Sequence, residues 1–338
     1  MAVSIPGDVE APALLVLLAD GELRSGESLA EQLGQTRAAV WKGVERLRTL
    51  GIGVQALARR GYRLSDPVEL LNAKRILREL SARSRPHLRR LELLFEVDST
   101  STRLLASAAP PLGLADVCTC ELQHAGRGRL GRRWIAPFGS GLALSVAWSF
   151  SDAAQALPAL SLGVGVAVTR ALVRVGASGV ALKWPNDIWF QDRKIGGVLV
   201  EIRAEAGGPA QVVIGVGLNV FLPAAARLEI EASGVRVAAV ADACGALPSR
   251  NHVAGTLLDE LLSMLVKFEA VGFAAFRDEW IALDGLNGRS VLVRMGDNIT
   301  AGTARGADTD GALLVEVNGR LQRFVSGEAS LRLIEGDN

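Results

Sequence analysis

The stretch Gly126-Arg127-Gly128-Arg129-Leu130-Gly131, followed at once by Arg132-Arg133-Trp134, decides how the rest of the chain is interpreted. Its glycines allow the backbone to approach a ligand closely and to adopt positive φ. Its arginines supply forked, permanently charged donors that suit phosphate and carboxylate oxygens. We therefore predict a loop that closes over an anion rather than a segment of the core.

The same six residues match the G-x-G-x-x-G pattern of dinucleotide-binding folds, which requires a preceding strand and a helix opening at the last glycines. Residues 117–122 predict the strand. After the loop come Pro137, Gly139 and Gly141, and then the apolar run 142–150 predicts a second strand. Because no helix can begin where the pattern needs one, the dinucleotide fold is excluded. A ligand loop and an exposed basic turn remain as interpretations.

Composition indicates a globular protein of two or three domains, with 338 residues, 49% of them hydrophobic and 22% charged. The net charge of +1 gives no overall field that would favour nucleic acid or membrane. Three cysteines (Cys118, Cys120 and Cys244) are too few for a disulfide framework and suit a reducing compartment. No signal peptide or membrane span is evident, so we expect a cytoplasmic protein.

The N-terminal part predicts a winged helix-turn-helix domain over residues 1–65. A short helix over 13–19 precedes a second helix for which Ser28 is the predicted N-cap and Glu31 completes a capping box. Gly34 ends that helix, and Thr36 caps a third helix that runs to about residue 50. Two extended runs, 52–58 and 62–64, then enclose a basic turn.

Charge within this domain is unevenly distributed. Residues 37–66 contain seven basic side chains and two acidic ones. Cations on one helix and one loop tip can neutralise phosphates and release counterions, which predicts DNA binding. A small helical bundle with a solvated basic face is the alternative. The candidate DNA-binding residues are Thr36, Arg37, Trp41, Lys42, Arg59 and Arg60.

The remainder of the chain predicts an α+β fold in two further domains, 66–282 and 283–338. In the central domain, strand-like runs adjoin one another without intervening helices. Predicted strands are 93–97, 117–122, 142–150, 181–184, 197–203 and 211–216, and predicted helices are 70–80, 104–109, 160–175 and 253–271. Four short strands near the C-terminus, with a hairpin turn at Asn318-Gly319, predict a small β-barrel.

Three more segments carry polar groups in places that suit ligand binding. Lys183-Trp184-Pro185-Asn186-Asp187 brings a cation close to a potential Mg²⁺ ligand. Residues 215–219 place an amide after two glycines, and Asp98-Ser99-Thr100-Ser101 offers hydroxyl groups beside an apolar strand. Taken alone, these segments would be a turn, the end of a buried strand and a helix cap.

Taken together, the segments resemble one family, the bifunctional biotin operon repressors that are also biotin–protein ligases. The matching elements occur in order along nearly the whole chain: the winged helix-turn-helix, residues 98–100, Gln123, the 126–131 loop, and residues 183–187, 194–197 and 215–219. The resemblance implies a central mixed-sheet catalytic domain similar to class II aminoacyl-tRNA synthetases and lipoate ligases. It also implies a C-terminal SH3-like β-barrel.

The resemblance further implies a two-step reaction that uses biotin and ATP, with Mg²⁺ as a helper. Biotinyl-5′-adenylate forms first, and a lysine of the biotin carboxyl carrier protein of acetyl-CoA carboxylase then displaces AMP. Operator DNA and a second copy of the chain are the other implied partners, with no membrane involved. Both reactants are anionic, so cations must offset their repulsion and the charge that develops at phosphorus.

Residue roles follow from the same resemblance. Lys183, Arg129 and Arg127 are the implied catalytic cations. Biotin is implied to contact Ser99, Thr100, Ser101, Gln123, Arg127, Gly128, Arg129 and Lys183. The nucleotide is implied to contact Gly126, Gly131, Trp134, Asn186 and Asn219, and Asp187 is the candidate for Mg²⁺ or for positional support.

Two positions depart from the family pattern. Relatives often have Asn where Ser101 stands, which puts the role of Ser101 in doubt, and some have Arg where Leu130 stands. Two other functions are also consistent with parts of the sequence. One is a lipoate-type ligase, and the other is a biotin-sensing DNA-binding regulator without ligase activity. Hydroxyl groups and Gln123 suit a ureido ring better than a dithiolane, and the retained cations favour catalysis.

Overall fold

The computed structural model describes residues 11–151, 157–204, 210–325 and 329–333, with the backbone alone at 157–158, 204 and 329–333. The helices are α1 (Ala13–Leu18), α2 (Gly26–Leu33), α3 (Arg37–Thr49), α4 (Ala73–Arg78), α5 (Thr100–Leu105), α6 (Leu157–Arg174), α7 (Ala224–Glu231), α8 (Val240–Cys244), α9 (Arg250–Val271) and α10 (Arg277–Leu283). The predicted strands and most of the predicted helices occur in the expected order, but the helix predicted over 104–109 lies earlier, at Thr100–Leu105, because Ser99 caps its start, and α7, α8 and α10 were not predicted.

The strands fall into three sheets. The N-terminal hairpin is formed by β1 (Val54–Leu57) and β2 (Gly61–Leu64). The central strands are β3 (Leu88–Val97), β4 (Ala115–Gln123), β5 (Gly141–Phe150), β6 (Val180–Lys183), β7 (Asp187–Phe190), β8 (Arg193–Ala204) and β9 (Ala210–Asn219). The C-terminal strands are β10 (Ser290–Met295), β11 (Asn298–Ala307), β12 (Leu313–Val317), β13 (Arg320–Phe324) and β14 (Ala329–Leu333).

The N-terminal elements form the predicted helix-turn-helix with its hairpin wing. Thr36 caps α3 by accepting a hydrogen bond from the amide of Ala39 at 3.2 Å, and Gly34 ends α2 in the left-handed conformation. The predicted capping box is wrong. Ser25, not Ser28, is the N-cap of α2, because its side chain accepts the amide of Ser28 at 3.0 Å. The helix therefore begins three residues earlier than the Ser-x-x-Glu pattern indicated.

The central domain is built on a seven-stranded mixed sheet of order β3-β4-β5-β9-β8-β7-β6. Only β3 and β4 run parallel; the other neighbouring pairs are antiparallel. Val212, Ile214, Val216 and Leu218 of β9 point into the main core. Helices α6 and α9 cover that face and bury it. The α+β prediction is confirmed, and β7, which follows a turn at residues 184–186, was not predicted.

Two aromatic side chains of the central domain contact the N-terminal domain. Phe95 of β3 and Phe138 belong to the same hydrophobic cluster as Leu15 and Leu47, and their ring centroids lie 6.4 Å apart. The N-terminal core therefore extends beyond residue 65. The predicted boundary at residue 65 divides the sequence, but side chains from both sides of it pack in one hydrophobic cluster.

The C-terminal strands form an antiparallel sheet of order β13-β12-β11-β10-β14. The predicted hairpin is present at Asn318-Gly319, where both residues have positive φ and join β12 to β13. Two positive φ values are typical of the type I′ turn that this dipeptide favours. A five-stranded antiparallel sheet agrees with the predicted small β domain. Closure of the sheet into a barrel stays a prediction.

Asp284 lies where α10 passes into the C-terminal sheet, and its environment generates a pH-dependent prediction. Its Oδ1 accepts the amide of Leu286 at 2.9 Å, but its Oδ2 is buried without a hydrogen-bond partner. Burial raises the pKa of the Asp284 carboxyl to about 6. The ionised carboxylate is therefore disfavoured in the folded protein. It lowers the free energy of unfolding as the pH rises through 6, and this loss vanishes below the ordinary pKa of 3.8.

We expect Asp284→Asn to stabilise the protein by on the order of 2–3 kcal/mol at pH 8, and by much less at pH 4.5. Thermal unfolding midpoints of both proteins at the two pH values measure the effect. Asp278→Asn, on the exposed surface of the same helix, is the matched control and should change little at either pH. An equal stabilisation by Asp284→Asn at both pH values would show that ionisation is not the cause.

Candidate functional site

The candidate site lies on the face of the central sheet opposite the main core. Along β9 the residues on this face include Gly215 and Gly217, which pair with Ser145 and Ala143 of β5. Gly197 of β8 pairs with Gly217 on the other side. Because side chains alternate across a strand, small residues at these positions leave a shallow trough while their neighbours fill the core. A flat ligand fits such a floor.

Hydroxyl and amide groups cluster at one end of the trough. The amide of Thr100 donates to Oε1 of Gln123 at 3.0 Å, and the Thr100 hydroxyl lies 2.7 Å from that of Ser145. Ser99 caps α5 by accepting the amide of Thr102. The structure thus brings the predicted residues Ser99, Thr100 and Gln123 together. Ser145, which the sequence analysis missed, joins them through strand pairing.

Ser101, the departure from the family pattern, belongs to the same network. Its hydroxyl lies 3.0 Å from that of Ser145. A side chain at residue 215 would place its Cβ only 2.7 Å from Oγ of Ser101, so the glycine makes room for this contact. The shorter serine therefore keeps a hydrogen-bonding role that its sequence position left in doubt.

The glycine–arginine segment forms a compact loop beside the trough. The amide of Gly128 donates to the Arg132 carbonyl at 2.7 Å, and the amide of Trp134 donates to the Gly126 carbonyl at 2.9 Å. Left-handed conformations at Leu130 and Gly131 turn the chain back. The loop closes on itself and is not the start of a dinucleotide-binding helix, and its closure over an anion stays a prediction.

The two predicted arginines of the loop reach different strands. Arg127 donates to the Thr102 hydroxyl at 2.9 Å and pairs with Glu201 of β8 at 3.1 Å. Arg129 is half-buried and donates to Oδ1 of Asn186 at 3.3 Å. Desolvation lowers the pKa of Arg129, although the nearby Asp187 carboxylate opposes the change. A cation is therefore held where an anionic ligand would offset its lost hydration.

Lys183 ends β6 on the same side as Arg129. Its Nζ lies 4.6 Å from the centroid of the Trp189 ring, an aromatic partner that the sequence analysis did not identify. Asp187 faces Lys183 across the β6–β7 pair, and its carboxylate accepts a hydrogen bond from Nζ of Lys194 at 2.5 Å. The five-residue motif and the loop, far apart in sequence, thus meet at Asn186.

These contacts bear on the prediction that Asp187 binds Mg²⁺. Its carboxylate is engaged by an ammonium group, and within the described parts of the chain no three His, Cys, Asp or Glu side chains converge as a metal site. Mg²⁺ commonly takes one or two protein carboxylates and completes its shell with water and phosphate oxygens. Asp187 alone, already paired, does not make a resident Mg²⁺ site.

Trp134 and Asn219 occupy the other end of the trough. The Trp134 ring lies directly on Gly217, so close that a Cβ there would be 2.6 Å from Cε2 of the indole. The indole nitrogen is buried without a hydrogen-bond partner. Asn219, at the end of β9, is buried and donates to the Ala238 carbonyl at 3.2 Å. The aromatic ring at this end suits a heteroaromatic ligand.

The candidate DNA-binding residues lie in the N-terminal domain, separate from this trough. Arg37, Trp41 and Lys42 are exposed on α3, and the side chain of Trp41 is 54% exposed. Arg59 and Arg60 form the exposed tip between β1 and β2. The structure therefore leaves these candidate residues accessible on α3 and at the tip of the wing, which a DNA-binding face requires.

Comparison with known proteins identifies all three regions. Residues 96–219 match the Biotin/lipoate A/B protein ligase family, residues 13–63 an HTH domain, and residues 287–332 the Biotin protein ligase C terminal domain. The chain is 40% identical over 323 residues to the bifunctional ligase/repressor BirA of Escherichia coli, covering 95% of this chain and 97% of the relative. It is 29% identical to the Bacillus subtilis protein of the same name, covering 93% and 95%.

The fold agrees with a solved structure. The biotin protein ligase from Aquifex aeolicus in complex with biotin and ATP matches with a TM-score of 0.61 and 28% identity, covering 72% of this chain and 99% of that one. In the described part of this chain, no helix has the length and apolarity needed to cross a bilayer.

The contact between Trp134 and Gly217 generates a prediction about the loop. In Gly217→Ala the new methyl group would overlap the indole, so Trp134 must leave the trough and the loop should open. We expect trypsin to cleave the variant faster after the loop arginines, which mass spectrometry of timed digests measures. Gly26→Ala is the control, since its Cβ would meet Tyr62 at an ordinary 3.5 Å. Equal cleavage of both variants would contradict the inferred packing.

Proposed function

Because this chain belongs to the family of bifunctional biotin–protein ligases and biotin operon repressors, we propose that its trough carries out both steps of biotin ligation. The protein is an ATP-dependent biotin–protein ligase that also carries a DNA-binding repressor domain. The observation that supports the site most strongly is the convergence of Arg129 and the Lys183 segment at Asn186 beside a floor of small residues.

The proposed chemistry balances in two displacements. A carboxylate oxygen of biotin attacks the α-phosphorus of ATP, the bond to the β-phosphate bridge breaks, and pyrophosphate leaves. The amine of a carrier-protein lysine then attacks the acyl carbon of biotinyl-5′-adenylate, an amide forms, and AMP leaves with the bond's electron pair while the amine loses a proton. Each step develops negative charge on oxygen, which fixed cations stabilise.

We assign the polar end of the trough to biotin. Ser99, Thr100, Ser101 and Gln123 offer both donors and acceptors, which a ureido ring needs, and Ser145 adds one more hydroxyl. The loop backbone at residues 127–129 would cover the valeryl chain. The same polarity disfavours a lipoate-type substrate, whose dithiolane ring has no hydrogen-bonding groups to match.

We assign the aromatic end of the trough to ATP, and the cations to the reacting groups of both substrates. Lys183, Arg127 and Arg129 would contact the carboxylate and α-phosphate oxygens. Trp134, whose ring covers Gly217 on the floor of the trough, would pack on adenine. The remaining proposed nucleotide contacts are Gly126, Gly131, Asn186 and Asn219. Retention of this cation set favours an active ligase over a biotin-sensing regulator that no longer catalyses.

For Mg²⁺, the residues that the structure describes do not provide a resident site. We therefore propose that Mg²⁺ arrives with ATP as part of the substrate, bound mainly by phosphate oxygens. Asp187 then acts as positional support, because it holds Lys194 at 2.5 Å and faces Lys183 across the strand pair. No step of the mechanism requires Asp187 to bind the metal.

We expect Lys183→Ala and Arg129→Ala each to lower the rate of adenylate formation at least about tenfold, a loss of about 1.4 kcal/mol or more. Each removes a cation that would stabilise charge at the reacting phosphorus. Hydroxylamine trapping of the acyl-adenylate and release of labelled pyrophosphate measure the rate. Arg133→Ala, an exposed arginine of the same loop, is the matched control. Near-normal rates in both test variants would overturn the assignment.

Membership of the family is also the basis on which we propose the macromolecular partners of this chain. The carrier is the biotin carboxyl carrier protein of acetyl-CoA carboxylase, and the DNA is the operator of biotin synthesis genes. We propose a homodimer that reads two half-sites and forms more readily with adenylate bound, since a single winged module gives little specificity. The two buried free cysteines, Cys118 and Cys120, fit action in the reducing cytoplasm.

The DNA face generates a prediction about salt dependence. Lys42→Ala and Arg60→Ala should each weaken binding to the control region of the biotin synthesis genes. Each should also reduce the slope of log affinity against log salt by about one, because one phosphate contact is lost. Mobility shifts at several salt concentrations, with and without biotin and ATP, measure this. Arg83→Ala, exposed outside the domain, is the control. An unchanged slope, or binding indifferent to biotin and ATP, would count against the model.

A further inference from the structure

Trp184, the residue directly after Lys183, is tied to the C-terminal domain. Its side chain is fully buried, and its indole nitrogen donates a hydrogen bond to the Gly311 carbonyl at 3.1 Å. Gly311 lies in the turn between β11 and β12, far along the sequence from the strand that it contacts. A buried indole N–H usually needs a partner, and here the C-terminal domain provides it.

The residue before Lys183 is held from the same part of the chain. The Leu182 carbonyl accepts the amide of Gly285 at 2.9 Å, just before the C-terminal sheet begins. Leu182 in β6 and Trp184 in the turn that follows are both buried in the main core, whereas Lys183 between them is only half-buried. Lys183 is thus bracketed by two hydrogen bonds that both come from beyond residue 283.

The turn that presents Gly311 is itself tightly built. Oδ1 of Asp308 accepts the amides of Asp310 and Ala312, each at 2.9 Å. Gly311 has φ +81°, and a Cβ there would lie 2.6 Å from that of Ala159 in α6. Only a residue without a side chain fits both the backbone conformation and the contact with α6. The carbonyl of Gly311 therefore has one defined position.

We propose that Trp184 and the Gly311 turn are positioning residues for Lys183, so that the C-terminal domain completes the ligase site without touching the reactants. The inference rests on the proposed catalytic role of Lys183. Transition-state stabilisation depends on a cation held at a fixed place, and a shift of about 1 Å can cost on the order of a hundredfold in rate. The Gly285 amide and the Trp184 indole, each hydrogen-bonded across this junction, fix the chain on either side of Lys183, and the Trp189 ring lies against its ammonium group.

Trp184→Phe tests this, because it keeps an aromatic ring in the core and removes the N–H donor, together with a loss of side-chain volume that a second buried tryptophan can control for. We expect the rate constant of adenylate formation to fall at least about tenfold, by the positioning argument. Biotin affinity should change less than about threefold, because the ureido contacts are elsewhere. Calorimetric titration with biotin and pyrophosphate release measure the two quantities.

Trp148→Phe is the matched control. Trp148 is also a fully buried tryptophan, and its indole nitrogen donates to Glu269 at 3.2 Å, away from Lys183. It should lose comparable thermal stability and keep its adenylation rate. If both variants lose rate in proportion to stability, Trp184 has only a structural role and the proposal fails.

A second variant keeps the test valid if Trp184→Phe does not fold. Asp308→Ala removes the two bonds that shape the turn, whereas Arg323→Ala leaves those bonds in place and removes the ion pairs with Asp308 at 2.5 Å and Asp310 at 3.0 Å. We expect Asp308→Ala to reproduce the loss of rate and Arg323→Ala not to. The double variant Trp184→Phe/Asp308→Ala should be no slower than the worse single variant, because both act on one contact. If the rate losses of the two single variants add in the double variant, the two residues do not act through one contact, and the proposal is contradicted.

Measuring Lys183→Ala in the same assays separates the proposed catalytic role of Lys183 from the proposed positioning role of Trp184. If Lys183→Ala is slow and Trp184→Phe behaves like Trp148→Phe, the catalytic role of Lys183 stands and the positioning role of Trp184 is wrong. If Lys183→Ala retains the wild-type rate, the assigned function of the lysine is wrong, and the positioning role falls with it.

Discussion

The structure depends on a single constraint in strand β9, which must be bulky on one face and nearly bare on the other. Val212, Ile214, Val216 and Leu218 fill the core beneath α6 and α9. Between them, Gly215 and Gly217 leave space that Ser101 and Trp134 occupy. Because the side-chain period of a strand is two, a register shift of one residue would bury the glycines and expose the apolar set. Core formation and the shape of the trough are therefore specified together.

Charge in the trough is compensated before any ligand binds. Arg127 pairs with Glu201, and Lys194 pairs with Asp187, while Arg129 loses hydration with Asp187 as its opposing charge. These pairs hold the cations in place at modest cost, because each cation keeps an anionic neighbour. Reactants that carry negative charge then meet donors already in position, which is the condition for stabilising charge that develops during reaction.

The sequence predicted those features that arise from local chemistry. Thr36 as a cap, Gly34 as a helix end and the Asn318-Gly319 turn follow from neighbouring residues, and the structure confirms them. The Ser28 cap was wrong because Ser25 and Ser28 both suit the role, and only the packing of the helix decides between them. Contacts such as those of Ser145 and Trp189 depend on which strands pair, and a single sequence does not reveal strand pairing.

The end of the loop shows how closely the two halves of the molecule are connected. Trp134 lies on the floor of the trough, whereas Phe138, four positions later, packs into the hydrophobic cluster of the N-terminal domain beside Phe95. The chain between them includes Pro137, whose fixed φ limits how far the segment can bend. A displacement of Trp134 must therefore be absorbed within this short segment or passed to Phe138. The end of the trough that holds Trp134 and the core of the N-terminal domain thus share one stretch of backbone.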